Sequence, residues 1–309
     1  LWYLSRLDHD FFLPTQPERG EGYIGRGGSY PFGDNVREVP VRAVREMEFD
    51  CILFQSRQNY LVDQTELLTE GQRRLPRVYL EHDPPREHPT DTRHPVDDPD
   101  VLLVHVTPFN ALMWDNGQTP VRVIEHGVFV PEAVRYSGEL ERGLCVINNL
   151  PRRSRRLGLD IFLEARRQVD LDLVGMGSEE VGGLGEVPPM ELPAFASRYR
   201  FFFNSIRYTS LGLALCEAMM VGLPVIALAT TEVATIVENG ISGYVDTRPE
   251  KLVAYMKQLL ADPWEARRLS DGARAAAEQR FNLQRFLQDW EEAFRLVMGW
   301  TGTTTGALI

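Results

Sequence analysis

The stretch RYTSLGLALCEAMMVGLPVIALATTEVATIVENGISGYV, residues 207–245, decides the fold class by the way its periodicity changes. Its first part, 211–229, is apolar over nearly the length of a membrane span, but Glu217, Gly222 and Pro224 interrupt it. The reading is a helix over 211–221, a turn, a strand over 224–228 and a second strand over 243–245. Helix, turn and short β-branched strand in succession are the unit of a parallel α/β domain.

The same rhythm extends outward. Further strands are expected at 50–55, 77–81, 101–106, 121–125, 143–148, 171–175 and 200–204, and helices at 158–169, 191–199, 250–261, 263–280 and 284–297. From residue 143 the alternation is regular. Before it lie two polar, broken segments, ERGEGYIGRGGSYPFGDN (18–35) and EHDPPREHPTDTRHPVDDPD (81–100), and a candidate linker at 131–142. Two Rossmann-like halves follow, divided at 137/138, with 285–309 as a final helix crossing back to the first half and an aperiodic tail.

The chain has 309 residues, 43% hydrophobic and 25% charged, which suits about two folded domains and excludes a disordered or fibrous protein. A net charge of -11 opposes general binding to nucleic acid or anionic membrane, so any anion site must be local. Only Lys251 and Lys257 are lysines, and no P-loop occurs, which removes Schiff-base and P-loop chemistry. Cys51, Cys145 and Cys216 have no CxxC spacing and read as core filler in a reducing cytoplasm. Because residue 1 is Leu, the chain is expected to be an excerpt of a longer one.

Three constellations carry chemistry. In NNLPRRSRRLG (148–158), Arg152, Arg153, Arg155 and Arg156 crowd a helix N-terminus whose dipole already repels cations. They form either a phosphate cradle or a solvated basic loop. In the second, Ser210 can cap the helix of 211–221, Gly212 lets a ligand approach the backbone, and Glu217 is the only charge in that helix. Glu217 is either a ribose-diol acceptor or a core carboxylate bonded to backbone or Arg. In the third, His82, His88 and His94 share a loop with Asp83, Asp91, Asp97 and Asp98. Metal binding, a substrate role for His82 and a solvated loop all compete there. Gly25, Gly27 and Gly28 are a weak phosphate-loop signal, more often a mobile loop.

The segment 210–245, together with VINNLPRRSRRLGLDIFLEA (146–165), LDLVGMG (171–177), GLGEVPPMELPAFASRYRFFFNS (183–205) and IEHGV (124–128), resembles the signature of retaining family 4 glycosyltransferases of the GT-B fold. The likeness covers roughly 120–297 and is weak in the first third. It implies two Rossmann-like domains facing a central cleft, with the amino-terminal one truncated. Residues 1–137 would be the acceptor side and 138–284 the nucleotide-sugar side.

By that resemblance Arg152, Arg153, Arg155 and Arg156 meet the donor diphosphate, with Arg153 and Arg156 stabilising charge during catalysis. Ser210, Gly212 and Leu213 approach the phosphates, Glu217 holds the ribose, Gly185, Glu186 and Val187 lie against the base, and His82 contacts the sugar. Two departures stand out. A family glutamate falls on Thr209, and another on Thr235, with Glu232 expected to compensate.

The implied activity is metal-independent transfer of a sugar, with retention, from a UDP- or GDP-sugar to a glycan, lipid or small-molecule acceptor. No cofactor, nucleic acid partner or transmembrane segment is expected, and the location is cytoplasmic, free or at the inner face of the membrane. The alternatives are a catalytically weakened donor-binding or regulatory GT-B protein, and a hydrolase or epimerase on the same fold.

Overall fold

Strands rich in β-branched and aromatic residues organise three parallel sheets, one of them a two-stranded pair, in a computed structural model that describes residues 1–20 and 22–300. The aperiodic residues 301–309 lie outside the described residues. The chain divides into one unit of Leu1–Glu125 with the segment from Gln284 onward, and a second of His126–Leu283.

In the first unit β1 (Phe11–Thr15) and β2 (Val36–Pro40) form a parallel pair, and β3 (Ile52–Phe54), β4 (Arg77–Glu81), β5 (Val101–His105) and β6 (Val121–Val123) form a parallel sheet in that spatial order. All five residues of β5 are buried, as expected of a central parallel strand covered on both faces. An apolar cavity of about 710 Å³ is lined by Phe11, Phe12 and Leu13 of β1, Ile52 and Leu53 of β3, and Phe294 of the helix Leu283–Trp300.

In the second unit β7 (Leu140–Val146), β8 (Leu171–Val174), β9 (Tyr199–Asn204), β10 (Val225–Leu228) and β11 (Gly243–Asp246) are all parallel, in the order β11-β10-β9-β7-β8. Every residue of β9 is buried. Its Phe201 and Phe203 pack with Phe162, Leu173, Ile226, Leu252, Met256 and Leu269 in one core, each such side chain contributing roughly 1.5–3 kcal/mol by leaving water.

This strand order positions the site. From β7 the chain steps outward to β8, then returns to the other side of β7 for β9 and continues to β10 and β11. The connections after β7 and β9 therefore lead in opposite directions, which makes the carboxyl ends of these two neighbours the topological switch point at which open α/β sheets bind their ligands.

The expected strands are all present, and β4 has the expected limits. Two differences have clear causes. The pair β1 and β2 escapes the pattern because Pro14 breaks the apolar run FFL and only Val36 and Val39 of VREVP are buried. The division between units falls at 125/126 rather than 137/138, since residues 128–136 are tied into the second unit. There the Val128 N–H donates to the Phe281 carbonyl (3.0 Å), and the buried Tyr136 hydroxyl donates to the Arg200 carbonyl (2.9 Å). The expected linker also contains the start of β7 at Leu140.

Candidate functional site

The loops after β7 and β9 are joined backbone to backbone. A Cβ on Gly158 would lie 1.9 Å from the Ser205 carbonyl oxygen, so only glycine permits this approach, and Gly158 also has φ +80°. The Ser205 hydroxyl donates to the Leu157 carbonyl (3.1 Å), and the Arg207 and Tyr208 N–H groups donate to the Arg156 carbonyl (3.1 and 3.2 Å). Asn149 and Ser154, in the loop after β7, hold left-handed φ values of 54° and 48°, a conformation uncommon for non-glycine residues.

The four arginines expected at a phosphate do not behave alike. Arg152 and Arg153, on the short helix Leu150–Arg153, are exposed. Arg155 is paired with Asp160 (2.8 Å), in the first turn of the helix Leu159–Arg166. Arg156 is half-buried.

Arg207 is a residue that sequence reasoning passed over. Its guanidinium spans both oxygens of Asp160 (2.6 and 2.7 Å) and donates to the Arg155 carbonyl (2.7 Å). The hydrogen bond from Arg207 holds the Asp160 carboxyl below its ordinary value, and the same bond raises Arg207. Arg207 and Asp160 both lay within quoted motifs. Their pairing, 47 positions apart, has no local sequence signal.

The helix that follows β9 starts at Leu213, with Gly212 as its cap, rather than at 211 with Ser210 as the cap. Leu211 is buried and Gly212 is extended (φ -77°, ψ 135°), so the helical turn begins only after them. Gly212 itself brings no side chain to cap this N-terminus, and a Cβ there would meet nothing within 4 Å. The result is an open approach to backbone N–H groups that carry the positive end of the dipole. Ser210 is buried, while Leu213 and Glu217 are half-buried. Glu217 is four positions beyond Leu213, where the helix starts, about 6 Å along the axis. Thr209 is half-buried in the loop between β9 and this helix.

The loop after β8 is tied to the loop after β7. The Gly185 N–H donates to the buried Ser178 hydroxyl (2.9 Å), and its carbonyl accepts from Gly175 N–H (2.8 Å). Glu186 is exposed and Val187 half-buried. The Asn148 side chain accepts from Met176 N–H (2.9 Å), tying this loop to the one after β7.

Glu232 is not available to replace the glutamates absent at 209 and 235. It is 2% exposed, and its Oε1 accepts from Arg280 Nη2 (2.7 Å) and from the Thr235 hydroxyl (2.6 Å).

In the first unit His94 is buried with its Nε2 on Glu81 Oε2 (3.1 Å), whereas His82 and His88 are exposed. Although His82 keeps an exposed surface, the protein packed around it lowers the pKa of its ring from the ordinary value, chiefly by desolvation. Among the described residues no three His, Cys, Asp or Glu side chains gather as a metal ion requires. Gly25 and Gly27 have positive φ in a loop where the Arg26 N–H donates to Glu38 (2.9 Å), with no helix opening behind them.

Residues 176–276 match the family described as glycosyl transferases group 1. A sucrose synthase from Denitrovibrio acetiphilus is 32% identical over 93 residues, which is 28% of this chain and 12% of that relative, so the chain spans only a small part of the curated protein it matches. The structure is similar to sucrose-phosphate synthase from Thermosynechococcus elongatus, with TM-score 0.69 and 14% identity, covering 97% of this chain and 92% of that one. It is also similar to Anabaena HepE solved with UDP-glucose, with TM-score 0.60 and 16% identity over 83% of this chain and 80% of that one. The fold is the parallel-sheet α/β arrangement of GT-B glycosyltransferases.

Proposed function

We propose that the second unit binds a nucleoside diphosphate sugar at the carboxyl ends of β7 and β9 and that the protein transfers the sugar, with retention of configuration, as a family 4 glycosyltransferase. The observation that carries this reading is the helix start at Gly212, where open space surrounds the Cβ position, in the loop tied to the arginine loop after β7. Support also comes from the group 1 match over 176–276 and from the likeness to HepE solved with UDP-glucose.

In this reading the bond from the anomeric carbon to the diphosphate oxygen breaks, and the acceptor oxygen joins the same face. The acceptor proton goes to the leaving phosphate. Arg153, Arg156 and the N–H groups following Gly212 stabilise the charge that develops on the diphosphate, with Arg152 and Arg155 holding the donor and no metal required. Glu217 accepts the ribose hydroxyls, Gly185 to Val187 flank a uracil or guanine base, and His82 acts on the sugar or acceptor. The protein would work in the cytoplasm.

The test is incubation with UDP- and GDP-sugars with and without candidate glycan, lipid and small-molecule acceptors, in the presence of EDTA. Acceptor-dependent release of nucleoside diphosphate is expected, with the anomeric configuration kept. Release without acceptor would make the protein a hydrolase, and failure of both UDP and GDP to bind would overturn the donor reading.

A second reading is a donor-binding protein of weakened activity. It is favoured by Thr209 and by the commitment of Glu232 to Arg280 and Thr235, which leaves the sugar fewer charged acceptors. Binding of donor without turnover would support it, and so would a gain in transfer by Thr209→Glu.

A further inference from the structure

The turn that opens the approach at Gly212 is held from outside its own loop. Leu211 is 4% exposed, and its carbonyl oxygen accepts a hydrogen bond from Nε2 of the half-buried His126 at 3.2 Å. The two residues are 85 positions apart, and His126 is the first residue of the second unit. A carbonyl is an acceptor only, so Nε2 must carry the proton, whichever charge state the ring holds.

The segment carrying His126 is itself anchored, because Val128 is bridged to Asn282 and its N–H donates to the Phe281 carbonyl (3.0 Å). On the other side, the next residue after Leu211 is the extended Gly212, which has no Cβ to restrict it, and then the helix Leu213–Val221 begins. Glycine gives this junction the widest choice of conformations in the loop. A fixed donor on the preceding carbonyl therefore sets the direction in which the N–H groups of the helix start point.

We propose that His126 is a positioning residue for the donor diphosphate: by fixing the Leu211 carbonyl it orients the Gly212 turn whose backbone N–H groups receive the phosphates. The role rests on the donor reading given above. In this role His126 acts through the Leu211 carbonyl and not on the substrate itself. Its contribution is to diphosphate affinity, and the nucleoside is bound without it.

Calorimetric titration with UDP, GDP, uridine and guanosine on the wild type, His126→Leu and His126→Gln tests this. His126→Leu keeps apolar bulk but removes the donor, whereas His126→Gln retains an N–H donor on a side chain of similar reach. The expected result is a loss of about tenfold in diphosphate affinity for His126→Leu, unchanged nucleoside affinity, and recovery to within about threefold of wild type for His126→Gln. Equal diphosphate affinity in the wild type and His126→Leu would overturn the inference while leaving the donor reading intact. So would an equal loss for diphosphate and nucleoside. If His126→Leu does not fold, a His126→Gln protein that folds yet loses at least tenfold toward the diphosphate overturns it, and one that keeps wild-type diphosphate affinity supports it. A wild type that binds neither UDP nor GDP removes the donor reading itself, and this inference with it.

Discussion

The Ser205 carbonyl oxygen occupies the place where Gly158 would carry a side chain, 1.9 Å from an ideal Cβ, and this contact joins the loops after β7 and β9. Gly212, in the second of those loops, is the reverse case, with open space around its Cβ position and an ordinary extended φ of -77°. The two glycines therefore predict opposite phenotypes. Gly158→Ala combines a left-handed φ with a backbone clash and is expected to lower stability by more than about 2 kcal/mol in urea unfolding. Gly212→Ala is expected to stay within about 0.5 kcal/mol of wild type but to weaken UDP or GDP, because the added methyl stands in the approach to the helix start. A stable Gly158→Ala protein would show that the two loops can separate at little cost.

His105 predicts an acid sensitivity seated in the first unit. It is fully buried at the end of β5, its Nε2 donates to Asn116 Oδ1 (2.8 Å), and its Nδ1 has no hydrogen-bond partner among the described residues. Burial pushes its pKa down to about 4, from 6.5, so the ring is neutral in the folded protein at neutral pH. The unfolded chain takes up this proton first. The stability that neutral His105 contributes is therefore complete above about pH 6.5 and is lost as pH falls toward 4, by at most about 3 kcal/mol at 1.36 kcal/mol per unit. Urea midpoints measured from pH 7 to 4.5 should decline less steeply in His105→Leu than in wild type. Parallel curves for the two proteins would contradict the assignment.

The arginine loop predicts a split between exposed and committed guanidinium groups. Arg152, Arg153 and Arg155 are all exposed, but Arg155 is already paired with Asp160. Replacing Arg152 and Arg153 together with Ala is expected to weaken UDP or GDP at least tenfold with nucleoside affinity unchanged, and Arg155→Ala is expected to cost less. Equal losses for diphosphate and nucleoside would mean that the loop does not meet the phosphates.

Glu217 predicts a dependence on the ribose diol. Glu217→Gln keeps the shape of a half-buried side chain and removes its charge, and hydrogen bonds to charged groups contribute roughly 1.5–3 kcal/mol. UDP or GDP should bind about tenfold more weakly to the variant, while a 2',3'-dideoxy analogue should bind both proteins alike. An equal loss for the dideoxy analogue would assign Glu217 to the core instead.

Much of the second unit was legible because its strands are short apolar runs set between helices of clear period, as in RFFFN and PVIAL. The Arg loop, Gly212 and Glu217 were legible for the same reason, since each is a local departure from that pattern. What the sequence could not display were partnerships over long separation. Arg207 with Asp160, Glu232 with Arg280 and His126 with Leu211 all join residues more than 40 positions apart. The cap at Gly212 rather than Ser210 was missed because Leu211 continues the apolar pattern while its backbone is still outside the helix. The polar first third offered least, since Pro14 and the alternation in VREVP hide β1 and β2.

The measurement closest to the central claim is hydrogen–deuterium exchange of the whole chain with and without saturating UDP or GDP. Slowed exchange concentrated in residues 149–158 and 205–217, the loops at the carboxyl ends of β7 and β9, is the result expected of donor binding at this switch point. Protection confined to the first unit, or none with either nucleotide, would contradict it.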